Sequence, residues 1–143
     1  MRLTASIKVS PRAKNLGKNS PKILANCIKE MSMDLHRVAS ERAPVKDGTL
    51  ETSGQVVFKN GGTKFTGTVS FSAINRGFNY AQKMHNDTYA LGAKSLAKSS
   101  RGVKSRFSTQ TFRVGKGYLK DTAEKCQTGY KKYINKEVIM GLK

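Results

Sequence analysis

Glu41-Arg42-Ala43-Pro44-Val45-Lys46-Asp47-Gly48-Thr49-Leu50-Glu51-Thr52-Ser53 is the joint on which the fold turns. It follows a helical pattern and precedes a strand-like one. Pro44 lacks the N–H that a helix needs and pushes Ala43 toward extended backbone. Asp47-Gly48 supplies a turn, the aspartate by bonding nearby backbone and the glycine by tolerating positive φ. Leu50 then opens a new apolar pattern.

Upstream of the joint, Ser20 is a good N-cap and Pro21 fits the first helical position. Leu24, Cys27, Ile28, Met31, Leu35, Val38 and Ala39 recur at steps of three and four, which predicts one long helix with a single apolar stripe. Downstream, Gln55-Val56-Val57-Phe58-Lys59 is a β-type run. Asn60-Gly61 is a strong hairpin signal. In the return strand Phe65, Gly67, Val69, Phe71 and Ala73 alternate with Thr66, Thr68 and Ser70. That pattern predicts an antiparallel sheet with one face buried against helices.

Asn79 to Asn86 reads as a helical turn or short strand. Asp87 to Thr111 is rich in Ser, Lys and Gly and reads as a long mobile loop. Gly115-Lys116-Gly117 leads into a last helix, where Leu119, Ala123, Cys126, Tyr130, Tyr133, Ile134 and Val138 repeat at helical spacing. Gly129 interrupts that helix, as close packing would require. Residues 1–19 form a basic arm, extended or partly disordered, in which Leu3, Ile7 and Val9 alternate enough for a short strand. The expected fold is therefore α+β. A small antiparallel sheet centred on the Asn60-Gly61 hairpin is packed by a long N-terminal and a long C-terminal helix. Residues 20–143 form one domain, with 87–111 as its mobile loop.

At 143 residues the chain has room for one core. Its formal net charge is +18, from 27 Lys and Arg against 9 Asp and Glu, which implies polyanionic surroundings. The excess is uneven: Arg2, Lys8, Arg12 and Lys14 lie in the arm, and Lys94, Lys98, Arg101, Lys104 and Arg106 in the loop. The loop has only Tyr89 and Phe107 as stacking platforms, too few for a single-strand binder. Docking on acidic neighbours suits it better than nucleic-acid binding or simple solvation. No apolar run approaches a membrane span, and the start lacks a signal peptide's apolar segment. Cys27 and Cys126 make no disulfide framework, so buried free thiols in a reducing cytoplasm are expected.

Catalytic chemistry finds little support. His36 lies off the apolar stripe and reads as solvated or capping. His85, with Lys83 and Arg76 nearby, could serve an RNA-cleaving acid–base site, but packing or an interface role is the simpler reading. No metal-ligand spacing, phosphate loop or dinucleotide fingerprint occurs. The chain is thus read as a non-enzyme without metal or cofactor.

Three segments, in this order, carry a resemblance. They are Ala43-Pro44-Val45-Lys46-Asp47-Gly48-Thr49-Leu50 with Ser53, then Tyr80-Ala81 followed by His85, then Gly117-Tyr118-Leu119-Lys120-Asp121-Thr122-Ala123. Together they resemble the bacteriophage head–tail junction family, the neck or tail-completion minor capsid proteins of long-tailed phages. The positions concerned are Pro44, Gly48, Leu50, Tyr80, Ala81, Tyr118 and Leu119. Three features depart from it: His85-Asn86-Asp87-Thr88 replaces a Glu and Gly-Thr, the Pro-Phe before the last helix is absent, and the charge is more basic than the family leads one to expect. The resemblance implies a structural virion protein, made in the bacterial host cytoplasm. It forms a closed ring, six-fold in preference to twelve-fold, between portal or adaptor proteins and the tail tube, near the packaged DNA and away from membranes. The arm and loop residues, with Tyr80 and His85, are the candidate assembly contacts. The alternatives are a basic nucleic-acid-binding protein and an RNA-cleaving enzyme.

Overall fold

The computed structural model describes residues 3–9, 20–45, 48–60, 64–75, 78–87 and 89–141. Arg2, Arg12, Lys14, the Asp47 half of the turn and the Gly61-Gly62 hairpin tip lie outside the described residues. In chain order the elements are β1 (Leu3–Val9), α1 (Ser20–Arg42), α2 (Thr49–Thr52), β2 (Gln55–Asn60), β3 (Phe65–Phe71), β4 (Ile74–Asn75), β5 (Phe78–Asn79), α3 (Tyr80–Asn86), α4 (Ala93–Arg101), β6 (Val103–Lys104), β7 (Thr111–Phe112) and α5 (Lys120–Gly141).

The hairpin forms as its alternation requires. β2 pairs antiparallel with β3, from Gln55 opposite Ser70 to Asn60 opposite Phe65. β1 adds to the other side of β3, from Leu3 opposite Phe71 to Val9 opposite Phe65. The main sheet therefore runs β1-β3-β2, all antiparallel, with two-residue ribbons β4-β5 and β6-β7 outside it. This is the expected α+β architecture: a small antiparallel sheet with a long helix at each end of the chain.

One face of the sheet is interior. Phe65, Val69 and Phe71 of β3 and Leu3 of β1 share the core with Leu24, Cys27, Ile28, Met31, Leu35, Val38 and Ala39 of α1 and with Leu119, Cys126 and Tyr130 on α5 or at its entry. Full burial of each large side chain contributes about 1.5–3 kcal/mol. Gly67 lets α1 approach closely, since a Cβ there would come within 1.8 Å of Ser32 Oγ. The other face carries Thr4, Ser6 and Lys8, then Thr66 and Thr68, then Gln55, Val57 and Lys59. Those of β1 and β2 are exposed.

The short strand expected from the alternation of Leu3, Ile7 and Val9 forms: residues 3–9 are an outer strand of the main sheet. Leu3 is 6 % exposed there, whereas Thr4, Ser6 and Lys8 face solvent. On the inner side Leu3 is buried and Ala5 and Ile7 are half-buried. One expectation needs correction: 87–111 is not a structureless loop, since it contains α4 and β6. α4 escaped notice because its inward residues are polar. Ser95 is 2 % exposed, and its Oγ accepts from Val45 N at 2.8 Å, while Leu96 is 56 % exposed. An apolar stripe was the wrong signal for a helix held down by hydrogen bonds.

Candidate functional site

The joint and the two later segments converge. α1 ends at Arg42, whose guanidinium is drawn inward rather than left in solvent. Its Nε donates to Arg113 O at 2.9 Å, and Nη1 donates to Asp121 Oδ2 at 3.0 Å and to Thr122 Oγ1 at 2.7 Å. The ring of Phe112 lies under the guanidinium, 5.1 Å from its carbon. Arg42 thereby ties the end of α1 to the entry of α5. Its sequence position, one helical step beyond Val38 and Ala39 on the buried stripe, was the signal that it would point inward.

Beyond Arg42, Ala43, Pro44 and Leu50 are buried, and Gly48 has φ 86° as its turn requires. Asn79 caps α3, its side chain accepting from Gln82 N at 3.3 Å. α3 then offers Ala81 and His85 to the core. Tyr118 donates its hydroxyl to Ala81 O at 2.9 Å and sets its ring edge-on to both Phe71 and His85, with centroids 5.4 and 5.3 Å away. Burial pushes the Tyr118 hydroxyl well above the usual phenol range. Gly117 N donates to His85 O at 2.8 Å.

His85 is 6 % exposed, so the candidate contact residue belongs to the interior. Its Nε2 accepts from the backbone N–H of Lys120 at 3.1 Å, and its Nδ1 lies 3.0 Å from Asn86 Oδ1. That pattern fits the neutral Nδ1–H tautomer and leaves neither nitrogen for a substrate proton. Burial lowers its pKa below the ordinary 6.5; the bond to Asn86 partly opposes this. The unfolded chain takes up a proton near pH 6.5, whereas folded His85 resists it until lower pH. Stability is therefore fully present above pH 6.5 and declines as pH falls below it, levelling off beneath the folded-state pKa. Thermal melts between about pH 8 and about pH 5 are expected to show that decline, and His85→Gln to flatten it.

The loop cations divide into two groups. Lys98 is an anchor: its Nζ donates to Ser40 O and Ala43 O, both at 2.9 Å, and pairs with Glu51 Oε2 at 2.5 Å. It satisfies one carbonyl in the last turn of α1 and one just beyond it, as a cation at a helix C-terminus does. The expectation that it is a free docking charge is corrected accordingly. Lys98→Gln is expected to cost about 1–2 kcal/mol of stability, against roughly 0.5 kcal/mol or less for Arg101→Gln, by denaturant midpoint.

Lys94, Arg101, Lys104 and Arg106 are exposed. Val103 and Ser105 alternate inward with Lys104 and Arg106 outward. Across the ribbon Phe112 and Val114 point in, while Thr111 and Arg113 point out. Arg113 Nη1 donates to Ser99 O at 2.7 Å and Ser100 O at 3.1 Å, and Arg37 Nη2 to Lys104 O at 2.7 Å. The two arginines thus brace a basic ridge built on α4 and the β6-β7 ribbon. Tyr80 is half-buried, and Lys8 lies on the sheet's open face, apart from the ridge in the sequence.

Beneath the ridge is a buried carboxylate that the sequence did not single out. Asp34 of α1 accepts from Ser105 Oγ at 2.5 Å and Tyr130 Oη at 3.0 Å on Oδ2, and from Arg106 N at 3.0 Å and Arg37 Nη2 at 3.2 Å on Oδ1. The two thiols are buried, and burial together with Glu137 and Glu30 pushes Cys27 up to about 11. His36, expected in solvent or at a cap, is half-buried and stacks on Phe71 at 6.1 Å. Among the described residues no group of three or more His, Cys, Asp or Glu could hold a metal, and no helix is long and apolar enough to cross a membrane.

No family model, curated protein or solved structure matches the chain.

Proposed function

We propose that this chain is a structural virion protein that forms a closed ring at the head–tail junction of a long-tailed phage, joining the DNA-filled head to the tail. The observation that carries the reading is the convergence of the three resembling segments. Ala43, Pro44 and Leu50, then Ala81 and His85, then Tyr118 and Leu119 lie far apart in the chain. Yet Tyr118 bonds Ala81, Gly117 and Lys120 bond His85, and Arg42 bonds Asp121. The second and third segments thus meet in the interior, and Arg42, just before the first, bonds the third, which supports reading the three as parts of one scaffold. The ridge of Arg101, Lys104 and Arg106 then supplies contacts to acidic neighbouring proteins.

Mass measurement of the purified chain, with a test for its presence in isolated phage particles, checks this. Ring-sized species and co-purification with particles are expected. A chain that stays monomeric or dimeric at all concentrations and is absent from particles would overturn it.

One feature favours a second reading, a nucleic-acid-binding monomer or dimer. The open sheet face carries Lys8 and Lys59 among hydroxyl side chains, with no acid among its described residues. A retarded, strongly salt-dependent DNA or RNA mobility from a species of monomer mass would support it.

A further inference from the structure

β1 and β2 are the outer strands of the main sheet. Among the described residues no strand joins the outer side of β1 or of β2. Both run antiparallel to β3, so β1 and β2 point the same way. They are of near-equal length, seven and six residues.

β2 is poorly protected for an edge. Val57 is 49 % exposed and Phe58 44 %, one on each face of the strand. Exposed apolar edge strands are templates for further pairing unless something covers them. The opposite edge offers a match. Ile7 and Phe58 both lie level with Gly67, on the inner face, and Ile7 is half-buried.

We propose that the occupant of the β2 edge is β1 of a second copy of this chain, paired in parallel, so that the sheets of successive copies join edge to edge. This deepens the ring reading and rests on it. A head-to-tail repeat sets β2 of one copy beside β1 of the next in the same direction, as the strand order demands. Phe58 then packs against Ile7 of the neighbour, and main-chain bonds between the two strands extend the sheet.

Area argues for closure. A six-residue strand spans about 20 Å, and one such joint falls well short of the roughly 1,600 Å² of a standard stable interface. A lone joint makes a weak dimer, whereas a closed ring gives every copy two joints and leaves no edge. A two-fold β2–β2 dimer would leave both β1 edges open. Lys8 and Lys59 fall level with Thr66 on the outer face. Both are exposed; in the register that sets Ile7 beside Phe58 they lie within roughly 8 Å of each other, so their repulsion opposes the joint and rising salt is expected to strengthen it.

Engineered thiols test the joint in the full chain. Ser6 and Val57 both lie level with Thr68, on the outer face with β3 between them. Within one copy they are about two strand spacings apart, roughly 9.5 Å, beyond the ~7 Å limit for a disulfide. Between paired copies they are neighbours. The native Cys27 and Cys126 are buried and do not compete.

The double variants Thr4→Cys/Val57→Cys, Ser6→Cys/Val57→Cys and Lys8→Cys/Val57→Cys scan the register. Under mild oxidation at least one is expected to give a ladder of cross-linked oligomers ending at ring size and collapsing on reduction. Val57→Cys alone is expected to give none. All changes lie on exposed strand positions, and wild-type melting temperatures show that the folds are intact. Hydrogen exchange of the unmodified protein gives an independent readout, with β1 and β2 amides more protected in the ring than in the monomer.

Rings that form without any ladder and without that protection overturn the edge joint and leave the ring reading standing. Disulfide dimers from Val57→Cys alone overturn it in favour of two-fold β2 pairing. A chain that remains monomeric at every concentration overturns the joint and the ring reading together.

Discussion

Gly129→Ala is expected to destabilise the protein by about 3 kcal/mol. In an ordinary exposed helix interior the same change stabilises by roughly 1 kcal/mol, because alanine is the better helix former. The sign reverses here because of what lies against α5. A Cβ at Gly129 would come within 1.7 Å of the carbonyl oxygen of Phe107 and 2.7 Å of its carbon. That obstacle is backbone, not the flexible end of a side chain. It is also held on both sides, since the Phe107 ring lies against Tyr130 and Tyr133, with centroids 5.5 and 4.6 Å away, and Phe107 N donates to Ser105 Oγ at 3.1 Å. Relief requires the 105–107 segment to lift off α5. Chemical denaturation checks this: a midpoint shift toward lower denaturant with unchanged slope is expected, and a more stable variant would show that the segment yields freely.

This contact shows what could be read beforehand. Gly129 is an anomaly in an otherwise regular apolar stripe, and close packing was its natural explanation. What it packs against was not legible, because the 105–107 segment carries no periodic apolar signal. The same division runs through the molecule. The stripes of α1 and α5 and the alternation of β3 were legible because each buries apolar groups at a fixed period. α4 was not, because Ser95 and Lys98 hold it by hydrogen bonds and an ion pair. Arg42, Asp34 and Lys98 were misread or missed for one reason: charge in a sequence is taken as solvent-facing unless a partner is known, and apart from Arg37 beside Asp34 their partners are at least 47 residues away in the chain. The convergence of Ala81, His85, Tyr118 and Arg42 was visible only as three short motifs in order.

Asp34→Ala is expected to cost about 3–5 kcal/mol, the range for removing one member of a buried charged network. The side chain is 1 % exposed, and four donors from three parts of the chain converge on it. Truncation leaves the Ser105 and Tyr130 hydroxyls and the Arg106 N–H facing a void, each losing a partner it cannot replace with water. Arg37 matters less, being 42 % exposed and also bonded to Glu41 and Lys104 O. Asp34→Asn separates charge from geometry. An amide keeps the shape but turns one of the two oxygen positions into a donor. With its oxygen toward Arg106 N–H and Arg37 and its NH2 toward Ser105 and Tyr130, whose hydroxyls can turn to accept, it keeps the hydrogen bonds and loses only the charge. Asn is therefore expected to cost less than Ala, roughly 1–2 kcal/mol for the lost charge-assisted bonds, while Ser105→Ala and Tyr130→Phe each cost roughly 1–2 kcal/mol. Calorimetric melts of the four variants decide the matter. An Ala variant as stable as the parent would mean that the carboxylate is not what holds the basic ridge to α1 and α5. In that case the ridge would be fastened mainly by Phe107 stacking on the two tyrosines.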